Sequence, residues 1–321
     1  MTTPYVAKWY FAMALDPIHI GSHTKELGIV DNTVVRDPNT NLPKFPATTL
    51  AGTCRSYTAM YFPEKFLRET KPGKFASCAG KTGEEHTDHC GQADCPVCVT
   101  YGFTQDEKIG FTSLVQFMDG QILFFPVHSM NGPVWVVSLN GLNSLVNANI
   151  LQPDQLHIQI NPERNHIQTP VRNDKINLGW ILLNVTSTDH PLTPSGQAAL
   201  KEYGVPDELL SHTVLVTDKL FGHVVNNNME IRTSVAIDPH IGAAKKGALF
   251  NYEAVPRTTI FYFQAIYKDP RNFEIGGKRL EYDYQWIQKN VEQGMRATEY
   301  LGLGGMTSRG MGRTLFLNLE S

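Results

Sequence analysis

A chain of 321 residues, 41% of them hydrophobic and 18% charged, has an ordinary globular composition and the length for one large domain or two smaller ones. Its formal net charge of −3 gives no overall attraction to nucleic acids or acidic membranes, so a nucleic-acid function would have to rest on local basic groups. No signal-like leader and no apolar run near the roughly 20 residues that span a bilayer is present, so a soluble, cytoplasmic protein without a membrane partner is expected.

In chain order, residues 5–15 alternate, with Tyr5, Ala7, Trp9, Phe11, Met13 and Leu15 on one face and Lys8 on the other. The pattern predicts a half-buried strand stopped by Pro17. The glycines and prolines of residues 19–46 predict a long loop. It gathers His19, His23 and the acids Glu26, Asp31 and Asp37, and loops on a rigid scaffold are where function concentrates. Thr48 or Thr49 is expected to cap the next helix, because a short side-chain oxygen accepts from free N–H groups of the first turn. Leu50, Cys54, Tyr57 and Tyr61 recur at helical spacing, and the helix ends before Pro63. The polar, Gly-rich residues 64–102 read as an insertion folded around something other than a hydrophobic core.

Residues 111–117 and 121–127 read as strands joined by a hairpin turn at Asp119 and Gly120. Residues 133–138, 156–160, 178–186 and 213–217 are further predicted strands. Pro194 opens a short helix over 195–203, and Asp218 is expected to cap another over 219–225. Residues 229–237 and 258–267 read as strands joined by a long arm, 238–257, which carries Lys245, Lys246 and Arg257. The longest predicted helix covers 280–300, with Tyr284, Ile287, Val291, Met295 and Thr298 in a stripe and Gly302 as its stop. A Gly-rich tail, 302–313, then leads into a closing strand in which Leu315, Leu317 and Leu319 alternate. Intermixed strands and helices of this kind favour an α+β sheet with helices on one face and several insertions.

Four of the five cysteines fall between Cys78 and Cys98, and Cys95 and Cys98 form a C-x-x-C pair. A C-x-x-C turn presents two thiolates to one ion, and tetrahedral zinc needs four such ligands. Cys78, Cys90, Cys95 and Cys98 would close the site, with His86 or His89 as alternatives to Cys78 or Cys90. The competing reading is a redox pair with two incidental thiols, but redox C-x-x-C pairs usually open a helix after a strand in a βαβ setting. A closed four-ligand site is structural rather than catalytic. In the tail, Gly304, Gly305, Gly310 and Gly312 let the backbone approach phosphates, and Thr307, Ser308, Arg309 and Arg313 add donors. The tail lacks the Walker lysine pattern, and a plain helix-to-strand loop is the alternative reading. Asp31 and His19 carry no hydrolase motif of their own.

These pieces resemble the RAMP superfamily in order and spacing. The resemblance lies in H-I-G (19–21), G-I-V-D-N-T-V-V-R-D-P-x-T-x-L-P-x-F-P (28–46), T-T-L-A-G-T-C-R (48–55), V-L-V-T-D-K-L-F (214–221), I-R-T-S-V-A-I-D (231–238), G-A-L-F-N-Y-E-A-V-P (247–256) and G-G-M-T-S-R-G-M-G-R (304–313). The chain is similar to the backbone subunits of type III CRISPR effector complexes, of Csm or Cmr type. The resemblance implies a single modified RRM-like (ferredoxin-like) α+β domain over 1–321, with a zinc-binding insertion at 64–102 and a thumb-like hairpin or arm at 238–257. It implies partners: a CRISPR RNA, a complementary target RNA, further copies of the chain and other effector subunits. It also implies cleavage of target RNA at regular intervals beside Asp31, with a divalent ion such as Mg²⁺ and support from His19, Glu253 or Lys245; the alternative is a catalytically silent RNA-binding subunit. Thr48, Thr49, Arg55, Lys245, Lys246, Ser308, Arg309 and Arg313 match RNA-holding segments. Ala51 stands where the family usually has lysine, and Ala47 where it usually has glycine. The cysteine insertion resembles that of zinc-containing members.

Overall fold

The computed structural model describes residues 3–22, 30–71, 74–80, 89–105, 109–161, 164, 166–171 and 173–320, with backbone alone at 70, 71, 74 and 246–248. His23, Glu26 and His86 lie outside the described residues, as does the side chain of Lys246.

In chain order the principal strands are β1 (Tyr5–Ala14), β2 (Val115–Phe117), β3 (Gly120–Ser129), β4 (Gly132–Ser138) and β5 (Thr213–Val216), then β6 (Glu230–Asp238), β7 (Ala243–Ala254), β8 (Ile260–Lys268) and β9 (Thr314–Phe316). The principal helices are α1 (Ala47–Met60), α2 (Pro96–Tyr101), α3 (Leu139–Asn147), α4 (Pro194–Glu202), α5 (Asp218–Asn227) and α6 (Tyr284–Leu301). The main sheet runs β5-β4-β3-β8-β1-β9, with Ile167–Gln168 beyond β5. Its pairings are antiparallel except β5 on β4. The chain is thus a mixed α+β fold on a central, mostly antiparallel sheet.

Helices cover both faces of this sheet, where the sequence pattern suggested one. On one face, Tyr10, Ala12 and Ala14 of β1 and Phe261, Phe263, Ala265 and Tyr267 of β8 meet Leu50 and Cys54 of α1, Phe221 of α5, and Ile287, Val291 and Met295 of α6. On the other, Phe11, Ile260 and Tyr262 meet Leu142 and Leu145 of α3 and Leu200 of α4. The Lys8 face of β1, expected to look outward, is therefore the more deeply buried. Lys8 escapes through its ammonium, which pairs with Glu292 and Glu320 at 2.9 Å each. Each large apolar side chain so buried contributes roughly 1.5–3 kcal/mol.

Several local expectations change for identifiable reasons. The strands β2 and β3 do not form a hairpin. Both lie along one edge of β8, β2 at residues 265–267 and β3 at 260–262, while Met118 N donates to Gln264 O. They form one strand interrupted by an irregularity, not two folded back. Asp119 therefore does not make a turn. Its Oδ1 accepts from Ala47 N at 2.8 Å and its Oδ2 pairs with Lys44 at 2.6 Å, so it, and not Thr48 or Thr49, satisfies the start of α1. Asp218 likewise accepts from Asn140 N, tying α3 to α5, and does not cap its own helix. Residues 156–160 make only an isolated bridge, Leu156 to Leu192. Residues 178–186 fall in a hairpin, Lys175–Leu178 against Ile181–Asn184. In β9 the buried residues are Thr314 and Phe316, and Leu315 is partly exposed.

The predicted arm is the returning half of a long hairpin. β6 and β7 pair from Glu230 with Ala254 to Asp238 with Ala243, with a register shift between Val235 and Ile237. The pair forms a separate sheet. Nine strand residues at about 3.4 Å each give it a reach of about 30 Å. Ile231, Val235, Ile237, Ile241 and Leu249 are 42–72% exposed along it.

α1 and α6 pack closely at Gly294. A Cβ there would stand 2.5 Å from Cys54 O and 2.7 Å from Thr58 Oγ1, and Thr58 Oγ1 also donates to Asn290 O at 2.8 Å. Gly294→Ala is expected to destabilise the fold by about 1–3 kcal/mol through overpacking. A thermal melt unchanged from wild type would refute this contact. Among the described residues, no helix is long and apolar enough to cross a membrane.

Candidate functional site

The hairpin root, the acidic loop and the Gly-rich tail are far apart in sequence and meet in space. The organising segment is Asn251, Tyr252 and Glu253 on β7. Asp31 is exposed, and its Oδ2 accepts from Asn251 N at 2.8 Å. Asn32 N donates to Asn251 O at 3.1 Å, and Glu253 N donates to Asn32 O at 2.9 Å. The acidic loop is thus laid along the outer edge of β7 as a short parallel bridge.

His19 reaches the same edge of this segment. Its Nδ1 lies 2.6 Å from Glu253 O. A carbonyl only accepts, so Nδ1 donates in this contact. The ring is 6% exposed and sits edge-on to Tyr252 with centroids 6.0 Å apart. Residues 251 and 253 are two apart on one strand, so the backbone groups that hold Asp31 and His19 are spaced by about 7 Å.

The tail docks on the backbone of His19. Gly305 N donates to His19 O at 2.8 Å, and Gly312 N donates to Pro17 O at 2.9 Å. Gly304 has φ +84° and stands so close that a Cβ would lie 2.6 Å from His19 O, so only glycine allows this approach. Ser308 and Arg309 lie exposed on the crest of the loop, in the short turn Thr307–Arg309. Arg313 does not join them as a free donor. Its Nε pairs with Asp16 Oδ2 at 2.5 Å, and that hydrogen bond holds the Asp16 carboxyl below the usual range.

Of the remaining RNA-binding candidates, Thr48 is exposed and Thr49 partly exposed in the first turn of α1. Lys245 is exposed on β7. Arg55 is a correction. Its Nε donates to Cys78 O at 2.8 Å, its Nη1 to Tyr101 O at 3.4 Å, and its Nη2 lies 3.1 Å from His89 Nδ1. The guanidinium is turned into the cysteine region, where burial pushes its pKa down. Glu253 is also fully engaged: Oε1 takes Arg36 Nη2 at 2.6 Å, and Oε2 takes Arg36 Nη1 at 2.8 Å and Val34 N at 3.1 Å. A carboxylate so occupied is a fastener and not a proton carrier. The sequence reading missed Arg36 and Asn251; both stand inside quoted motifs, but nothing local marks them as partners.

Cys78, Cys90, Cys95 and Cys98 come together with all four sulfurs within 4.8 Å of one another. Cys90 Sγ and Cys98 Sγ are 3.7 Å apart. Four thiolates about 2.3 Å from a zinc ion stand about 3.8 Å apart in a tetrahedron, so the set fits that metal. Backbone and guanidinium donors point at the sulfurs: Cys98 N at Cys95 Sγ (3.4 Å), Cys90 N at Cys78 Sγ (3.5 Å) and Arg68 Nη1 at Cys78 Sγ (3.3 Å). Packed this closely, the thiols cannot all ionise without a cation. Hydrogen bonds from its neighbours hold the Cys78 thiol down, while contact with Cys78 and Cys90 pushes Cys95 and Cys98 up. His89 faces Arg55 instead of completing the four-sulfur group. Although Cys95 opens helix α2, as in a redox pair, four converging sulfurs favour a metal site over a lone dithiol.

An α+β sheet bearing a long exposed hairpin, with an acidic loop and a Gly-rich tail tied to its root, defines a recognisable class. The RAMP superfamily model matches residues 12–315, and the chain belongs to that family. It is 24% identical over 261 residues to the CRISPR system Cmr endoribonuclease Cmr4 of Pyrococcus furiosus, covering 77% of each chain. Among solved structures it resembles a chain of the type III-B Cmr-β complex bound to cognate target RNA, with TM-score 0.66, 16% identity and 98% of both chains covered. It also resembles oligomeric Cmr4 from Pyrococcus furiosus, with TM-score 0.58, 16% identity, and 98% and 100% covered.

Proposed function

We propose that this chain is a CRISPR-RNA-binding backbone subunit of a cytoplasmic type III effector complex, and that it cleaves complementary target RNA at regular intervals. The observation that carries this reading is the placement of Asp31 at the root of a protruding hairpin, to which the Gly-rich tail is also tied through His19. A hairpin with exposed apolar side chains can part a guide–target duplex. The distorted nucleotide then lies next to the hairpin root, where the carboxylate is. The reading treats the chain as one RRM-like domain with a zinc-binding subregion at 64–102.

The chemistry asks little of the protein beyond placement. The target's 2′-oxygen attacks the adjacent phosphorus in line, the bond to the 5′-oxygen breaks, and the 2′-hydroxyl proton passes to a base. Asp31 is that base: one carboxylate oxygen is held by Asn251 N, and the residue is exposed to solvent. His19 is too buried to meet the RNA and instead locks the Gly-rich tail to the hairpin root. Thr48, Thr49, Lys245, Lys246, Ser308 and Arg309 hold phosphates; Arg313 contributes through its ion pair with Asp16, and Arg55 serves the cysteine site. Among the described residues, no cluster of three metal-capable side chains includes Asp31. If a divalent ion such as Mg²⁺ binds, Asp31 is the residue that would hold it, and the ion would supply neutralisation of the charge developing on the target phosphate. Zinc on the four cysteines is structural.

Native expression with the other effector subunits and a guide tests the reading. The chain should co-purify with a small RNA and cut a complementary RNA into a ladder of constant spacing. Recovery of the assembled protein free of RNA would overturn it.

A further inference from the structure

We propose that Arg36 is a positioning residue for cleavage: its fork-to-fork ion pair with Glu253 sets the acidic loop on the hairpin root, so that Asp31 and the hairpin act as one rigid body. The inference rests on the reading of Asp31 as the cutting residue and adds to it the part that aims it.

The geometry is specific. Arg36 and Glu253 are 217 positions apart in sequence. Their side chains are only 19% and 9% exposed. Two parallel N–H to oxygen bonds, at 2.6 and 2.8 Å, fix the orientation of both planes as well as their separation. The same guanidinium reaches Val34 O at 3.2 Å within the loop and, through Nε, Asn226 Oδ1 at 3.2 Å near the end of α5. Glu253 closes the arrangement by accepting from Val34 N. One guanidinium therefore joins the acidic loop, the strand that carries the hairpin, and the helix that leads into it.

The consequence for Asp31 follows from spacing. Asp31 sits on Asn251 N, two residues from Glu253 on the same strand. Removing the Arg36 fork leaves the loop attached by backbone and carboxylate bonds that a small shift can break. Displacement of a catalytic group by about 1 Å can cost about 100-fold in rate. Lysine would keep the charge but lose the planar fork, so it is not a conservative replacement here.

The test uses guide-loaded effector complex and labelled target RNA in single turnover. Three proteins are compared with wild type: Arg36→Ala, Arg36→Lys, and Arg36→Gln combined with Glu253→Gln, which removes both charges and leaves none buried alone. Each should assemble and bind target normally. Each should cleave with a rate constant lowered about 100-fold and with cuts spread to neighbouring phosphates. A variant that merely unfolds part of the population lowers the amplitude and leaves the rate constant and cut positions alone. That outcome, or rate constants within about threefold of wild type, overturns the proposal. Asp31→Asn run in parallel separates the two failures. If it is silent while the Arg36 variants cut normally, only the role of Arg36 falls. If it cuts normally, the assignment of Asp31 falls and takes this inference with it.

Discussion

Asp31→Asn is expected to lower the single-turnover rate of target cleavage by roughly 100- to 10,000-fold, the usual contribution of a positioned general base. Assembly and target affinity should be unchanged. Asparagine keeps a carbonyl oxygen in the place of Oδ2, so the bond from Asn251 N survives and the loop stays on the hairpin root. What disappears is the negative charge and the proton-accepting oxygen. Asp31→Ala removes the bond as well and is the less clean variant. The measurement is a quenched-flow cleavage time course at saturating complex, with target binding followed separately by anisotropy. A variant that cuts at the wild-type rate from a fully assembled complex would show that another group performs the chemistry.

The second large effect is expected at the cysteine site. Cys95→Ser should reduce zinc from one per chain to near zero and loosen residues 64–102. Serine can still cap α2, because its oxygen accepts from Cys98 N as Cys95 Sγ does. The substitution therefore isolates the metal from the helix. With the thiolates no longer held, Arg55 is left as a partly buried cation whose counter-charges have weakened. Structural zinc stabilises small domains by up to about 10–16 kcal/mol, so even a fraction of that should appear as a lower melting temperature and faster proteolysis of the insertion. The pH dependence has a definite sign: protons compete with the metal for the thiolates, so binding holds at neutral pH and is lost on acidification. A Cys95→Ser protein with full metal content and an unchanged melt would eliminate the site.

The sequence made visible whatever depends on near neighbours. The helix predicted over 280–300 and found at Tyr284–Leu301, the C-x-x-C turn and the positions of the first and last strands, though not their buried faces, follow from periodicity and short-range chemistry. Asp31 and His19 stood out through residue order across the whole chain. What stayed hidden depends on contacts between distant segments. Lys8 reads as a surface residue because nothing local announces Glu292 behind the sheet. Arg55 reads as a phosphate donor because guanidinium groups suit phosphates; only the fold shows that the Cys78 carbonyl claims it first. Half of the long hairpin reads as an arm because β7 is exposed on both faces near its tip, and a strand without a buried face has no period-2 signature. Asp119-Gly120 is a turn signal that tertiary pairing with β8 overrides.

The hairpin of β6 and β7 also has a cost. Among the described residues it is a two-stranded ribbon without further strand pairing over much of its length, and it bears a row of exposed isoleucine, valine and leucine side chains. Such a ribbon is a template for adventitious pairing with another chain. A copy without a partner along this ribbon therefore carries an adhesive edge, which favours prompt assembly over a pool of free chains.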